Sequence, residues 1–381
     1  MKTYIILLFC FTLFVACSSN RNETSSSPNR QIRLDLTDDV QLSDSLEFSF
    51  IPLETNEQCL IGVVTQVEIR DGKIYILDIK QKALFVFDME GKFLAQIGTR
   101  GAGPGEYISP MSFDLDLSAS TIVVNDIEKK ELLYFDLDDY RFKYTKALPD
   151  HYSSFSILSN HSISFFSSSG VLKEERKDDY YVLTCDSLLN LEHTYFPADF
   201  KSGYSFSVGG CNLYRVGNRD FVYHGQIPVI YEITGDEIKT HYELTLGTFD
   251  FPPVTYLQEN SRNNTDFLPT LLHSGYISAY MVCETEELLC VMFSRDVSQT
   301  YYGIYHKNSR KGYLYTANGF GKNGGIRIPL DLKGTTGQYI IGTLRPSFIG
   351  KHYTPNADLQ PILDKLSPED NPVLCLFKWK E

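Results

Sequence analysis

Residues 71–107 read DGKIYILDIKQKALFVFDMEGKFLAQIGTRGAGPGEY. Three apolar runs, 73–78, 83–88 and 92–98, are rich in Ile, Val, Phe and Tyr, the residues that pack well on a pleated surface. Asp71-Gly72 opens the first run and Glu90-Gly91 separates the second from the third; both are pairs that accept the positive φ of tight hairpin turns. The stretch therefore predicts a meander of three short antiparallel strands.

The same grammar extends in both directions. Residues 120–126, 131–136 and 142–148 form a second meander. A strand equivalent to 74–78 recurs at 122–126, 162–166, 220–224, 288–293 and 338–342, with a period averaging about 50 residues. Six units of four strands use the available length, which predicts an all-β fold: a six-bladed β-propeller with four-stranded antiparallel blades. A β-sandwich would account for the strands and not for the repeat. The composition agrees, with 25 Tyr and 25 Phe against 1 Trp, and 43% hydrophobic residues suffice for a packed core. Only 256–262 and 358–365 read as helices, both as insertions between blades. The last strand, 373–378, is expected to pair with 46–53 and close the ring.

The N-terminus carries an address. Residues 1–17, MKTYIILLFCFTLFVAC, hold one lysine, an apolar run of about 12 residues and a small residue before Cys17. That run is short for a hydrocarbon layer of about 30 Å. It resembles a bacterial lipoprotein signal, with Phe14 standing where that signal more often has Leu; the resemblance implies lipidation of Cys17 after removal of residues 1–16. Residues 17–30 then read as a lipidated flexible tether, because SSNRNETSSSPNR has nothing apolar to bury, and 31–381 as one propeller domain. The net charge of −13 argues against nucleic acid as a partner and against electrostatic docking on an anionic bilayer, leaving the lipid to hold the membrane.

Residues 72–78, 84–88, 91–93 and 98–107 together resemble an NHL-type propeller blade. The wider pattern is similar to the six-bladed β-propeller lipoproteins of the Bacteroidetes type. The phrases that carry it are Ile51-Pro52-Leu53-Glu54-Thr55, the Gly103-Pro104-Gly105-Glu106-Tyr107 loop and Asp370-Asn371-Pro372-Val373-Leu374. This resemblance implies an envelope protein, at the outer membrane, of a largely uncharacterised family in the neighbourhood of glycan handling. The glycines at 98, 101, 103 and 105 predict a sharp blade-to-blade crossover; a phosphate cradle would need the Lys-Ser/Thr and following helix of a P-loop, which this segment lacks.

No catalytic signature is present, and no cofactor is expected. Asp78, Asp126, His224 and Arg295 stand at strand ends, where a propeller gathers side chains around its axis; the competing account of the two aspartates is that they accept turn hydrogen bonds. Tyr301, Tyr302, Tyr313 and Tyr315, before the 319–325 loop, and Phe320 within it, could stack on sugar rings or simply pack. Cys283 and Cys290 flank a turn and could bridge, although small buried thiols explain all six remaining cysteines. Asp44-Ser45-Leu46 and Asp186-Ser187-Leu188 resemble Bacteroidetes O-glycosylation acceptors; turns at strand entries are the plainer account. The Asn22 and Asn263 sequons are discounted at a bacterial address.

The expected function is a lipid-anchored envelope module that binds or scaffolds a protein or glycan without catalysis. The alternative is a metal-dependent lyase or lactonase with its site in the central channel. Acidic or histidine ligands from three or more blades would favour the enzyme. An apolar plug would exclude it, and a large exposed apolar patch would favour a protein partner.

Overall fold

The computed structural model describes residues 30–37, 45–167, 180–197, 212–235, 237–260, 267–295, 299–316, 331–348 and 357–380. The signal, Cys17, Asn22, Asp44, Cys211, Asn263, Phe320 and the 319–325 loop lie outside them.

Six four-stranded units surround a central axis. Blade 1 is Val64–Arg70, Lys73–Asp78, Ala83–Asp88 and Phe93–Ile97. Blade 2 is Pro110–Asp116, Thr121–Asp126, Glu131–Asp136 and Phe142–Ala147. Blade 3 is Ser154–Ile157, Ile163–Phe166, Tyr180–Cys185 and Leu191–Pro197. Blade 4 is Leu213–Val216, Arg219–Tyr223, Val229–Thr234 and Glu237–Leu246. Blade 5 is Ala279–Glu284, Leu288–Ser294, Thr300–His306 and Lys311–Thr316. Blade 6 combines Asp331–Thr336, Tyr339–Leu344 and Val373–Trp379 with Leu46–Pro52 from the start of the domain. Each of the six recurring runs read from the sequence is the second strand of its blade.

The second strands are largely buried on both faces, which is why apolar residues run consecutively in them instead of alternating; every residue of Thr121–Asp126 is buried. Outermost strands such as Phe142–Ala147 are largely exposed. At the first hairpin of blade 1, Asp71 and Gly72 take φ of 50° and 72°, the paired left-handed geometry of a tight turn between twisted strands.

The ring closes as expected: Leu46 pairs with Trp379 and Pro52 with Val373 in one antiparallel register. Asn371 seals the junction. Its Oδ1 accepts from Ile61 N at 2.7 Å, its Nδ2 donates to Glu54 O at 2.7 Å, and its own N donates to Thr55 Oγ1 at 2.8 Å. Glu54 in turn accepts from Phe93 N at 2.8 Å, tying the closing strand to blade 1.

Two features depart from the sequence reading. Gln31–Leu34 adds a fifth strand, parallel to Glu237–Leu246, on the rim of blade 4. The helix Gln360–Leu363 lies inside blade 6, between its second and third strands, rather than between blades. The other helical region does separate blades 4 and 5, as Val254–Asn260 followed by Phe267–Leu272.

Candidate functional site at the channel mouth

Each blade ends its innermost strand at a tight turn, and these turns share one face of the disc. Near that face the six inner strands enclose a cavity of about 150 Å³, whose wall includes Glu68, Asp114, Arg215, Glu284 and Lys333. Polar residues recur at alternating positions here, as Gln66, Glu68 and Arg70 in blade 1, because alternate side chains of a strand share a face.

Side chains of the inner strands stitch neighbouring blades together at five of the six seams. Gln66 Nε2 donates to Phe113 O at 2.8 Å, and Phe113 N donates back to Gln66 Oε1 at 3.1 Å. Asp114 Oδ2 accepts from Ile157 N at 2.6 Å and Ser156 Oγ at 3.1 Å. Arg215 donates to Ile157 O and, through Nε, to Asp220 at 2.9 Å. Tyr214 donates to Glu284 Oε2 at 2.6 Å. Thr336 Oγ1 donates to Ile69 O at 3.1 Å, joining blade 6 to blade 1.

The electrostatics separate the carboxylates. Burial would push Glu284 up, but His241 Nε2 at 2.9 Å and Lys307 Nζ at 2.6 Å hold it below the ordinary value. Glu68 goes the other way: burial, with the nearby Asp114 charge, pushes it up to about 7 against the pull of Arg70 at 3.3 Å. Burial also raises Asp114, against its backbone hydrogen bonds. The mouth thus holds a carboxyl that changes charge near neutrality beside guanidinium and ammonium groups.

The residues singled out from the sequence sit elsewhere. Asp78 and Asp126 are buried turn acceptors: each takes four backbone N–H groups, among them Lys80 N at 2.8 Å and Ile108 N at 2.6 Å. His224 packs edge-on to Tyr181 at 4.7 Å, and burial pushes it down to about 4, so it is neutral. Arg295 Nε donates to Gly275 O at 3.0 Å, outside the channel. Tyr301, Tyr302 and Tyr315 are buried in the core and Tyr313 packs against it, so they form no exposed stacking platform. Cys283 and Cys290 face each other in register as free buried thiols. Among the described residues, no three His, Cys, Asp or Glu side chains are placed to hold a metal ion.

The GPGEY loop is a seam rather than a phosphate cradle. Glu106 takes Gly103 N at 2.7 Å, and Tyr107 donates to Ile97 O at 2.9 Å. Gly98, at φ 67°, lies so close that an added Cβ would stand 2.6 Å from the Tyr107 ring.

A family model described as a six-bladed β-propeller matches residues 20–327. The chain belongs to the DUF5128 family. Among solved structures, this DUF5128 chain is similar to a Bacteroides fragilis protein whose name gives export as an inference. The two are 29% identical with a TM-score of 0.84, over 92% of this chain and 100% of that one. A DUF4221 family member from Bacteroides vulgatus shares the fold at 12% identity and a TM-score of 0.54, over 88% of this chain and 99% of that one. No curated protein matches.

Proposed function

We propose that the protein is a lipid-anchored binding module of the bacterial envelope, with its ligand seat at the charged mouth of the propeller channel. The observation that carries this is the convergence of Glu68, Arg70, Asp114, Arg215, Glu284 and Lys333, from five inner strands, on one cavity. Asp114, Arg215 and Glu284 spend their hydrogen bonds on holding the blades, and Lys333 pairs with Asp331 of its own strand. Glu68 is the exception, with Arg70 as its ion-pair partner and a protonation state that a ligand can tip. Mixed acid and base in a small space suits a small polar group, or the end of a glycan or peptide chain, carrying both donors and acceptors.

The anchor reading rests on the Cys17 signal and on the export named for the B. fragilis relative. Replacing Cys17 by Ser is expected to leave the domain folded and release it from the membrane fraction; a variant that stays in membranes would contradict the anchor.

One observation favours a second reading. A carboxyl held protonated near neutrality beside other carboxylates is the arrangement used for general acid catalysis. Glu68→Gln separates the two: a binding module loses affinity only, whereas an enzyme keeps affinity for a neutral ligand and loses turnover.

A further inference from the structure

A second cavity, of about 380 Å³, lies between blades 3 and 4 on the same face. Its inner end is closed where Ser159 N and Oγ donate to Asp220 at 2.9 and 2.7 Å. Its outer end is closed where Tyr195 donates to Gly235 O at 2.5 Å. The volume lies at the small end of the range of ligand pockets.

The charges that line it are almost all spent. Asp220 pairs with Arg215 at 2.9 Å, and Arg219 grips Glu232 through both nitrogens at 2.8 and 2.7 Å. Glu192 takes Ser162 Oγ at 2.8 Å on one oxygen. What remains is a wall of neutral hydrogen-bonding groups together with the free oxygen of the Glu192 carboxylate. Thr184 is decisive. Only 2% exposed, it is the register partner of His193, so both side chains stand on the same sheet face, and both line the cavity. Its hydroxyl has no hydrogen-bond partner. An orphaned buried hydroxyl costs stability unless something else satisfies it.

We infer that this cleft is a binding site for a neutral, hydroxyl-rich ligand the size of one sugar ring. Spent cations disfavour an anion, and a polar wall with Leu158 and Ile233 as its apolar members disfavours a greasy ligand. Vicinal hydroxyls, each both donor and acceptor, match Thr184, the second Glu192 oxygen, His193 and the amides of Asn160 and Asn218.

The test is ligand-detected NMR and calorimetric titration of the mature chain with glucose, galactose, mannose and N-acetylglucosamine, using sodium sulfate as the anionic control. At least one sugar is expected to bind at millimolar concentration or tighter, and sulfate not at all. Thr184→Val, which keeps the shape and deletes the hydroxyl, should raise the Kd at least tenfold without lowering the Tm. Asn218→Trp, at an exposed turn on the rim, should abolish binding by filling the opening. Glu68→Gln, in the channel, should leave it unchanged, so this site stands or falls apart from the channel reading. Absence of binding by all four sugars, or binding indifferent to Thr184→Val and Asn218→Trp, would overturn the assignment and leave the cleft a solvent pocket.

Discussion

The seam between blades 1 and 2 closes over a buried cluster of aromatic and aliphatic side chains, whereas the seam between blades 3 and 4 combines such a cluster with a polar cavity. In the first, Tyr75, Leu84, Ile97, Tyr107, Phe113 and Phe135 form one buried cluster, and Tyr107 spends its hydroxyl on Ile97 O. In the second, Phe166, Tyr181, Val182, Tyr195, Leu213 and Val222 form a like cluster, but beside it lies a polar cavity with an unsatisfied hydroxyl in its wall. A propeller needs every seam to hold, because each blade has neighbours on two sides. A seam packed with aromatics supplies burial, about 25 cal/mol per Å². The seam of blades 3 and 4 draws on the same burial over part of its depth, and at the cavity the blades are joined by hydrogen bonds such as those of Ser159 to Asp220.

Substitutions can break this contrast. Tyr107→Ala should be the most damaging, because it removes a fully buried ring and leaves Leu84 N and Ile97 O without a partner; a loss of about 3–5 kcal/mol is expected in chemical denaturation. Glu284→Ala should come next, at about 3 kcal/mol, since it strands Tyr214, His241 and Lys307 between blades 4 and 5. The sign of its pH dependence follows from the depressed folded value. The wild type holds this contribution above the ordinary carboxylate range and loses it as pH falls through the folded value, so the gap between wild type and Glu284→Ala should shrink in acid. A gap independent of pH would show that Glu284 acts by packing alone.

Thr184→Val sharpens the contrast from the other side. A hydroxyl that stabilised the seam would cost stability when deleted; an orphan should instead give a gain of up to about 1 kcal/mol, seen as a higher Tm. The effect of Glu68→Gln without ligand is confined to its pH dependence and vanishes in acid. The folded protein holds a proton on Glu68 up to about pH 7 that the unfolded chain releases near 4.5, so wild type loses stability as pH rises through that interval. The variant should be a few degrees more stable at pH 8 and indistinguishable at pH 4.5, by thermal melts across the range.

Much of the ring is legible in the sequence because the second strands are largely buried on both sides and carry consecutive rather than alternating apolar residues. The family phrases also prove to be seam residues, with Glu54 and Asn371 at the closure and Tyr107 between blades 1 and 2. The channel site was far less legible. Its members sit in inner strands such as VTQVEIR, where charges alternate with apolar residues just as they would on a solvent-facing sheet. The signal that marks them is position: an alternating polar strand directly before an unbroken apolar one. Asp78 and Asp126 drew attention instead because strand-end aspartates are conspicuous, and their chemistry is consumed by backbone N–H groups. The parallel strand Gln31–Leu34 escaped because four residues give no periodicity to read.

The most direct measurement is a thermal-shift titration of wild type and Glu68→Gln against a panel of small polar ligands and glycan fragments, with a chelator control. A ligand at 100 times its Kd contributes about 2.7 kcal/mol. If the channel mouth is the ligand seat, at least one compound should raise the wild-type Tm by a few degrees, survive chelation, and lose most of that shift in Glu68→Gln. A shift of equal size in both proteins, or none in either, would contradict it.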